Sequence, residues 1–362
     1  MPPSIDPLLT AFWKTLTEEV GGKFLSGPDA RRDAEDLSHQ LTEGRGHLKP
    51  NYLNSPQRLG AYAAAYMPMN FQKTLLLLRA HKPIMGPAWL DFGCGPGTAI
   101  LAALAYAAET KQPMPREIHL VESQTAPRTL AMRMVRTYAR HLNLMLPTVR
   151  EWQRIPTRPP GGLSIAFAAS VLNELPDGRP LERLWSDVSG TFLIIEPGHR
   201  VSSQKLIRLR ERLRQEKAYI LGPCTHEGHC PLLRTKHWCH FSEPVEDEQL
   251  INMNQTLFGD NRPWLKFSYL FLSRTPQPPR DQQYRAIGDL HLSGPGMVAI
   301  DLCAPDNKKP IKFPRTAPPE LLDALVRGSL VTLSAHKVDS VNEVSHLNYP
   351  DAPAWQRKNH RT

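Results

Sequence analysis

Residues 88–109 read AWLDF, then GCGPG, then TAILAALAYAAE. An unbroken apolar run, a glycine-rich turn and a long apolar helical segment leave few ways to fold. The run becomes a strand covered on both faces, and the helix packs back against it. The glycines of Asp91-Phe92-Gly93-Cys94-Gly95-Pro96-Gly97-Thr98 let the main chain turn sharply and leave room for a ligand beside it. Thr98 stands where a dinucleotide-binding fingerprint wants its third glycine or alanine. Glu122 ends the next apolar run, where an acidic side chain can accept hydrogen bonds from ribose hydroxyls. A glycine triplet alone also serves as a plain tight turn, so its context has to carry the reading.

That context is an alternation of strands and helices from Pro83 to about Arg200. After the first unit come IHLVE (118–122), a helix with Pro127 near its start, LSIAFAA (163–169) and TFLIIE (191–196). Short apolar strands separated by helices predict βαβ units and a parallel sheet. We expect residues 1–80 to form a helical cap, with Ser26 to Pro50 as loop. The main α/β domain is expected over 81–275, with a Cys-rich insertion at 222–243. Four short segments between Arg285 and Val331, split by Gly and Pro, predict a small antiparallel region over 276–338. A basic tail, 339–362, carries Arg357, Lys358 and Arg361. Proline, at 35 of 362 residues or about twice the usual share, fits many stiff loops.

The glycine loop in this setting resembles the S-adenosylmethionine-dependent methyltransferases over residues 85 to 200. The resemblance implies a Rossmann-like α/β core in which Asp91, Gly93, Cys94, Gly95 and Gly97 form the cofactor loop and Glu122 binds the ribose. It places Ala169-Ser170-Val171-Leu172-Asn173-Glu174-Leu175 at the exit of the fourth strand, near the reacting methyl group, with Asn173 beside the cofactor. The exit reads Asn-Glu-Leu-Pro, not the Asn-Pro-Pro-aromatic used to methylate base amino groups, so no catalytic base is assigned. Methyl transfer can run on positioning alone.

Cys224, Cys230 and Cys239 fall within sixteen residues, with gaps of five and eight; Cys303 follows after 63, and Cys94 belongs to the glycine loop. Three of five cysteines crowded into one segment point to a metal or cluster rather than a disulfide framework. Soft thiolates suit zinc and iron–sulfur clusters alike, and His226, His229, His237 and His240 could also serve zinc. From spacing alone the two stay open.

Together, the glycine loop, the Cys-Pro-Leu and Trp-Cys-His-Phe-Ser segments and the late Asp-Leu-Cys resemble one narrower family over residues 50 to 330. It is the methyltransferase-like family of small-ribosomal-subunit assembly factors, with mitochondrial and bacterial members. The resemblance implies a four-iron, four-sulfur cluster on Cys224, Cys230, Cys239 and Cys303, with zinc as the alternative. It also implies association with the small subunit, either as an rRNA methyltransferase or as a factor that keeps the fold without turnover. A zinc-stabilised methyltransferase for a small molecule is the third reading.

The charge fits an anionic partner: 44 Lys and Arg against 35 Asp and Glu give +9. Three basic groups are the expected RNA contacts. They are Arg133, Arg136 and Arg140 on one helix face, Arg208 and Arg212 on the helix after Glu196, and Lys308 and Lys309. No apolar run is long enough to span a membrane. The opening residues show neither a secretion signal nor the acid-poor composition of a transit peptide, which predicts a cytoplasmic protein. A monomer off the ribosome is expected.

Overall fold

A computed structural model describes residues 6–26, 28–42, 52–156, 162–305, 307–334 and 341–347. Three helices come first: α1 (Pro7–Val20), α2 (Pro28–Thr42) and α3 (Pro56–His81). Asp6 caps α1 and Ser55 caps α3, each followed by a proline whose missing N–H costs nothing at a helix start. Helix α2 lies where loop was expected. It buries Ala30 and Ala34 against Ala64, Ala65 and Leu257, together with Leu37 and Leu41, a narrow stripe set among charged residues.

The central sheet follows from β1 (Ala88–Phe92), α4 (Thr98–Glu109), β2 (Glu117–Val121), α5 (Thr125–His141), β3 (Thr148–Trp152), β4 (Leu163–Ala169), α6 (Arg179–Asp187), β5 (Val188–Pro197) and α7 (Arg200–Gln215). It continues with β6 (Tyr219–Gly222), β7 (Phe241–Pro244), α8 (Glu248–Phe258) and β8 (Trp264–Ser273). Strand order is β3-β2-β1-β4-β5-β8-β6, with β7 on β8. The first five strands are parallel, and β8 runs antiparallel to β5, β6 and β7. Alternate residues of each strand feed opposite layers. Trp89 joins the layer of α1, α3, α4 and α5, while Leu90 joins that of α6 and α7.

A second, antiparallel sheet holds β9 (Gln283–Ala286), β10 (His291–Leu292), β11 (Met297–Ala304), β12 (Asn307–Pro314), β13 (Leu330–Leu333) and β14 (Val341–Ser345). Its order is β10-β11-β9-β13-β14, with β12 on β11. The expected small β-region is therefore present, and β14 extends it into the segment read as tail. Arg357, Lys358 and Arg361 lie outside the described residues.

Candidate functional site

The chain leaves β1 for β2 on one side and returns to β4 on the other, so a crevice opens at the carboxyl ends of the strands. The glycine loop fills its floor. Gly93, Gly95 and Gly97 all take positive φ, and the Gly93 and Cys94 N–H groups donate to the Val121 carbonyl. A Cβ on Gly93 would fall 2.5 Å from Val171, whereas one on Gly95 would project into open space. Gly95 N–H donates to Glu122 Oε2 at 3.2 Å, and the other Glu122 oxygen accepts from Gln124 N–H at 2.9 Å. These bonds aim the carboxylate into a cavity of about 940 Å³.

Of the residues expected at the cofactor, Gly93, Gly95 and Glu122 line this cavity. Asp91 lies behind the loop, with both carboxylate oxygens buried and without a hydrogen-bond partner. Burial first, and Glu122 second, push its pKa up to about 8. Cys94 is buried, and burial raises its thiol pKa. Gly97 caps α4 in the left-handed conformation. Asn173 does not line the cavity. Its side-chain amide donates to Glu196 Oε2 at 2.8 Å, and the neighbouring Ser170, Val171 and Glu174 take the wall instead.

Sequence reasoning missed several lining groups. Gln124 follows Glu122 by two residues and accepts from Leu53 N–H through its side chain at 3.1 Å. Tyr52 and Tyr62 reach the cavity from the N-terminal region, and the Tyr52 hydroxyl donates to Glu174 at 3.3 Å. Burial raises both phenols. Arg154 follows β3, an edge strand too exposed to show as an apolar run.

The fully buried Glu196 at the end of β5 also went unread. It accepts from the backbone N–H groups of Leu172, at 2.8 Å, and Asn173, at 3.2 Å. From the other side Lys205 donates to the carbonyls of Asn173 and Leu175. A carboxylate and an ammonium thus fix the strand-four exit.

The four outlying cysteines are free thiols, as is Cys94. Cys230 and Cys303 are buried in one apolar cluster with Ile207, Leu232 and Ile287, and Cys239 packs on it. Cys303 lies within electrostatic reach of Cys224, Cys239 and Cys230. Burial pushes the Cys230 and Cys239 thiols up to about 12. Arg210, 3% exposed, donates to Cys224 Sγ at 3.3 Å and to the Gly228 carbonyl at 2.8 Å. Its neighbour Glu211 accepts the Cys230 N–H at 3.1 Å. His226 Nε2 lies 3.3 Å from Cys303 Sγ. Among the described residues, no three His, Cys, Asp or Glu side chains stand together as a ready group for one metal ion.

Most of the expected RNA contacts meet carboxylates. Arg133 pairs with Glu19, Arg140 with Glu18, Arg212 with Glu182 and Lys308 with Asp301. The α5 face is the one on which α1 packs, which is why two of its arginines find acids there. Lys309 sits over the Tyr284 ring at 5.3 Å. Arg136 and Arg208 are exposed.

The strand order, the reversed strand β8 and the crevice floored by the glycine loop define a Rossmann-like methyltransferase fold. Within that class the chain belongs to a family described as mitochondrial small ribosomal subunit Rsm22, whose model matches residues 56–311. No curated protein matches it in sequence. Solved structures similar to it include magnesium protoporphyrin IX methyltransferase (ChlM) from Synechocystis PCC 6803 with bound SAM, at 11% identity and TM-score 0.37, covering 67% of this chain and 97% of that one. TrmK from M. capricolum, in complex with S-adenosyl-homocysteine, is similar at 8% identity and TM-score 0.31, covering 56% and 70%. At those scores neither adds to the argument, which rests on this chain's own topology. The family's mitochondrial description runs against the cytoplasmic placement expected above. Among the described residues, no helix is long and apolar enough to cross a membrane.

Proposed function

We propose that this chain binds S-adenosylmethionine in the glycine-loop cavity and acts on the small ribosomal subunit or its rRNA during assembly, as a monomer before it engages the particle. The observation that carries the cofactor reading is the Glu122 carboxylate, held by Gly95 and Gln124 and turned into a cavity whose floor has no Cβ at Gly95. Partnerless buried oxygens on Asp91, just beneath, suit a site that receives a cationic ligand. When bound, the cofactor supplies an activated methyl group; the chain's residues hold it and shape the space beside it. Isothermal calorimetry tests this. The parent protein should bind S-adenosylmethionine, and Gly95→Asp, which sets a second carboxylate against Glu122, should bind at least a hundredfold more weakly. Unchanged affinity in the variant would move the site elsewhere.

Cys224, Cys230, Cys239 and Cys303 are proposed to hold a four-iron, four-sulfur cluster, with zinc as the alternative. What supports this is that Cys230, Cys239 and Cys303 share one apolar cluster, with Cys224 within electrostatic reach of Cys303 and Arg210 placed to offset thiolate charge. With four cysteine ligands such a cluster has no open iron, and its role is to join the Cys-rich segment to the second sheet.

One observation favours binding without turnover. The Asn173 amide is donated to Glu196 rather than turned toward a target amine, and the segment around it is clamped by Lys205. We therefore place assembly and rRNA binding ahead of methylation, and a small-molecule methyltransferase last, since it gives the basic surface no purpose.

A further inference from the structure

The Trp-Cys-His segment does more than deliver Cys239. Trp238 and His240 stack, with ring centroids 5.4 Å apart and planes 20° off parallel. The Trp238 indole N–H donates to the Gly198 carbonyl at 3.1 Å, which fixes the ring. Both residues keep part of their surface exposed. Gly198 in turn presses on β8: a Cβ there would lie 2.9 Å from Phe267 N and 3.2 Å from Lys266 C. The ring pair is thus bordered by the turn into α7, with Arg200, and by the start of β8, with Lys266. Lys266 lies opposite Ser242, two residues beyond His240.

Charge around the pair is not neutralised as it is at Arg133, Arg140 and Arg212. Arg200, Lys236 and Lys266 are exposed, and among the described residues none of them joins an ion pair. Lys266 and Arg327 both lie within electrostatic reach of His240; the acid that faces it, Asp289, is itself paired with Arg327 at 3.4 Å. Val201, 66% exposed, and Trp264, 40% exposed, add apolar surface nearby. The patch sits at the carboxyl end of β5, where Pro197 pairs with Phe267, on the same edge of the sheet as the glycine-loop cavity. Partly exposed aromatic rings beside unpaired cations suit unstacked nucleotides: bases stack on the rings while phosphates meet the cations.

We infer that Trp238 and His240 form a stacking platform for single-stranded RNA, with Arg200, Lys236 and Lys266 holding its phosphates. The inference rests on the RNA-associated reading above and gives that reading a surface. The test is fluorescence anisotropy of a labelled single-stranded RNA of about twelve nucleotides, and of its duplex, on the full chain purified without oxygen. Iron content and melting temperature are followed in parallel. Trp238→Ala should weaken single-strand binding about tenfold and leave duplex binding unchanged. The double variant Arg200→Gln/Lys266→Gln, which leaves the rings in place, should lower the slope of log affinity against log salt by one to about two. Parent protein that binds no RNA at any salt would defeat the RNA reading itself. Parent protein that binds, with Trp238→Ala and the double variant binding alike, would overturn the platform and leave the ring pair as a cover over the Cys-rich segment or a protein contact. Should Trp238→Ala lose iron or melt early, the double variant decides: an unchanged salt slope overturns the inference, and a reduced slope supports it.

Discussion

At the scale of single residues, Asp91 is the most informative side chain. It could be read as part of a loop motif, but not as a buried acid without partners, because burial depends on α3 and β4, which the local sequence does not show. Its raised pKa gives a signed prediction. The unfolded chain ionises near the ordinary carboxylate value, whereas the folded, ligand-free chain keeps its proton up to about pH 8. Stability is therefore lost as pH rises between those values, because the folded state there binds the extra proton. Asp91→Asn removes this term. Its melting temperature relative to the parent should rise from pH 5 to pH 8, and thermal unfolding at several pH values checks it. Parallel curves would show that Asp91 is ionised in the fold. The glycines and Glu122 were legible because a tight turn and a strand-end acid are local features. Asn173 was not, since its partner Glu196 lies one strand away.

At the scale of elements, the basic helix α7 shows what periodicity leaves out. Arg208 and Arg212 were expected on its RNA-facing surface, but others of its cations do not share that surface. Instead Lys205 reaches the strand-four exit, Arg210 reaches Cys224, and Arg214 reaches the Glu227 carbonyl and His229. A long charged side chain can turn inward when carbonyls or thiols wait there, and a helical wheel does not record them. Edge strand β3 escaped for the opposite reason, burying too little apolar surface to mark its period, and helix α2 because its buried stripe is only Ala30, Ala34, Leu37 and Leu41 among charged residues. The clamp between β5 and α7 is testable. Glu196→Ala leaves three donors without their acceptor, the buried Leu172 N–H and two partly buried ones on Asn173. At about 1–3 kcal/mol for an unsatisfied buried donor, and less for the partly buried pair, the loss should be roughly 2–3 kcal/mol in urea unfolding. Glu196→Gln should recover part of it. A loss below about 1 kcal/mol would mean that the exit segment holds its shape unaided.

At the scale of the whole molecule, two sheets meet across the Cys-rich segment. The parallel core was legible from its alternation of strands and helices, and the second sheet from Gly- and Pro-split apolar runs. That Cys303 comes near the Cys-rich segment was carried by the family resemblance more than by spacing, because 63 residues separate it from Cys239; in the fold it stands opposite Arg285, which donates to the Pro223 carbonyl. The proposed cluster on these thiols would make metal removal a structural event. Chelation under reducing conditions, or Cys303→Ser, should lower the melting temperature and open the region after Ser273 to limited proteolysis, while the glycine-loop cavity keeps its affinity for S-adenosylmethionine. Proteolysis and calorimetry on the same samples check both halves. An unchanged digestion pattern would mean that the sheets hold together without a shared group.

The most direct measurement on the central claim is the visible absorbance spectrum, with iron, sulfide and zinc analysis, of protein purified without oxygen. A cluster on the four cysteines gives a brown protein with a broad visible band and about four irons and four sulfides per chain, and Cys230→Ser should lose both. A colourless protein carrying one zinc, or a Cys230→Ser variant with the parent's spectrum and melting temperature, would contradict it.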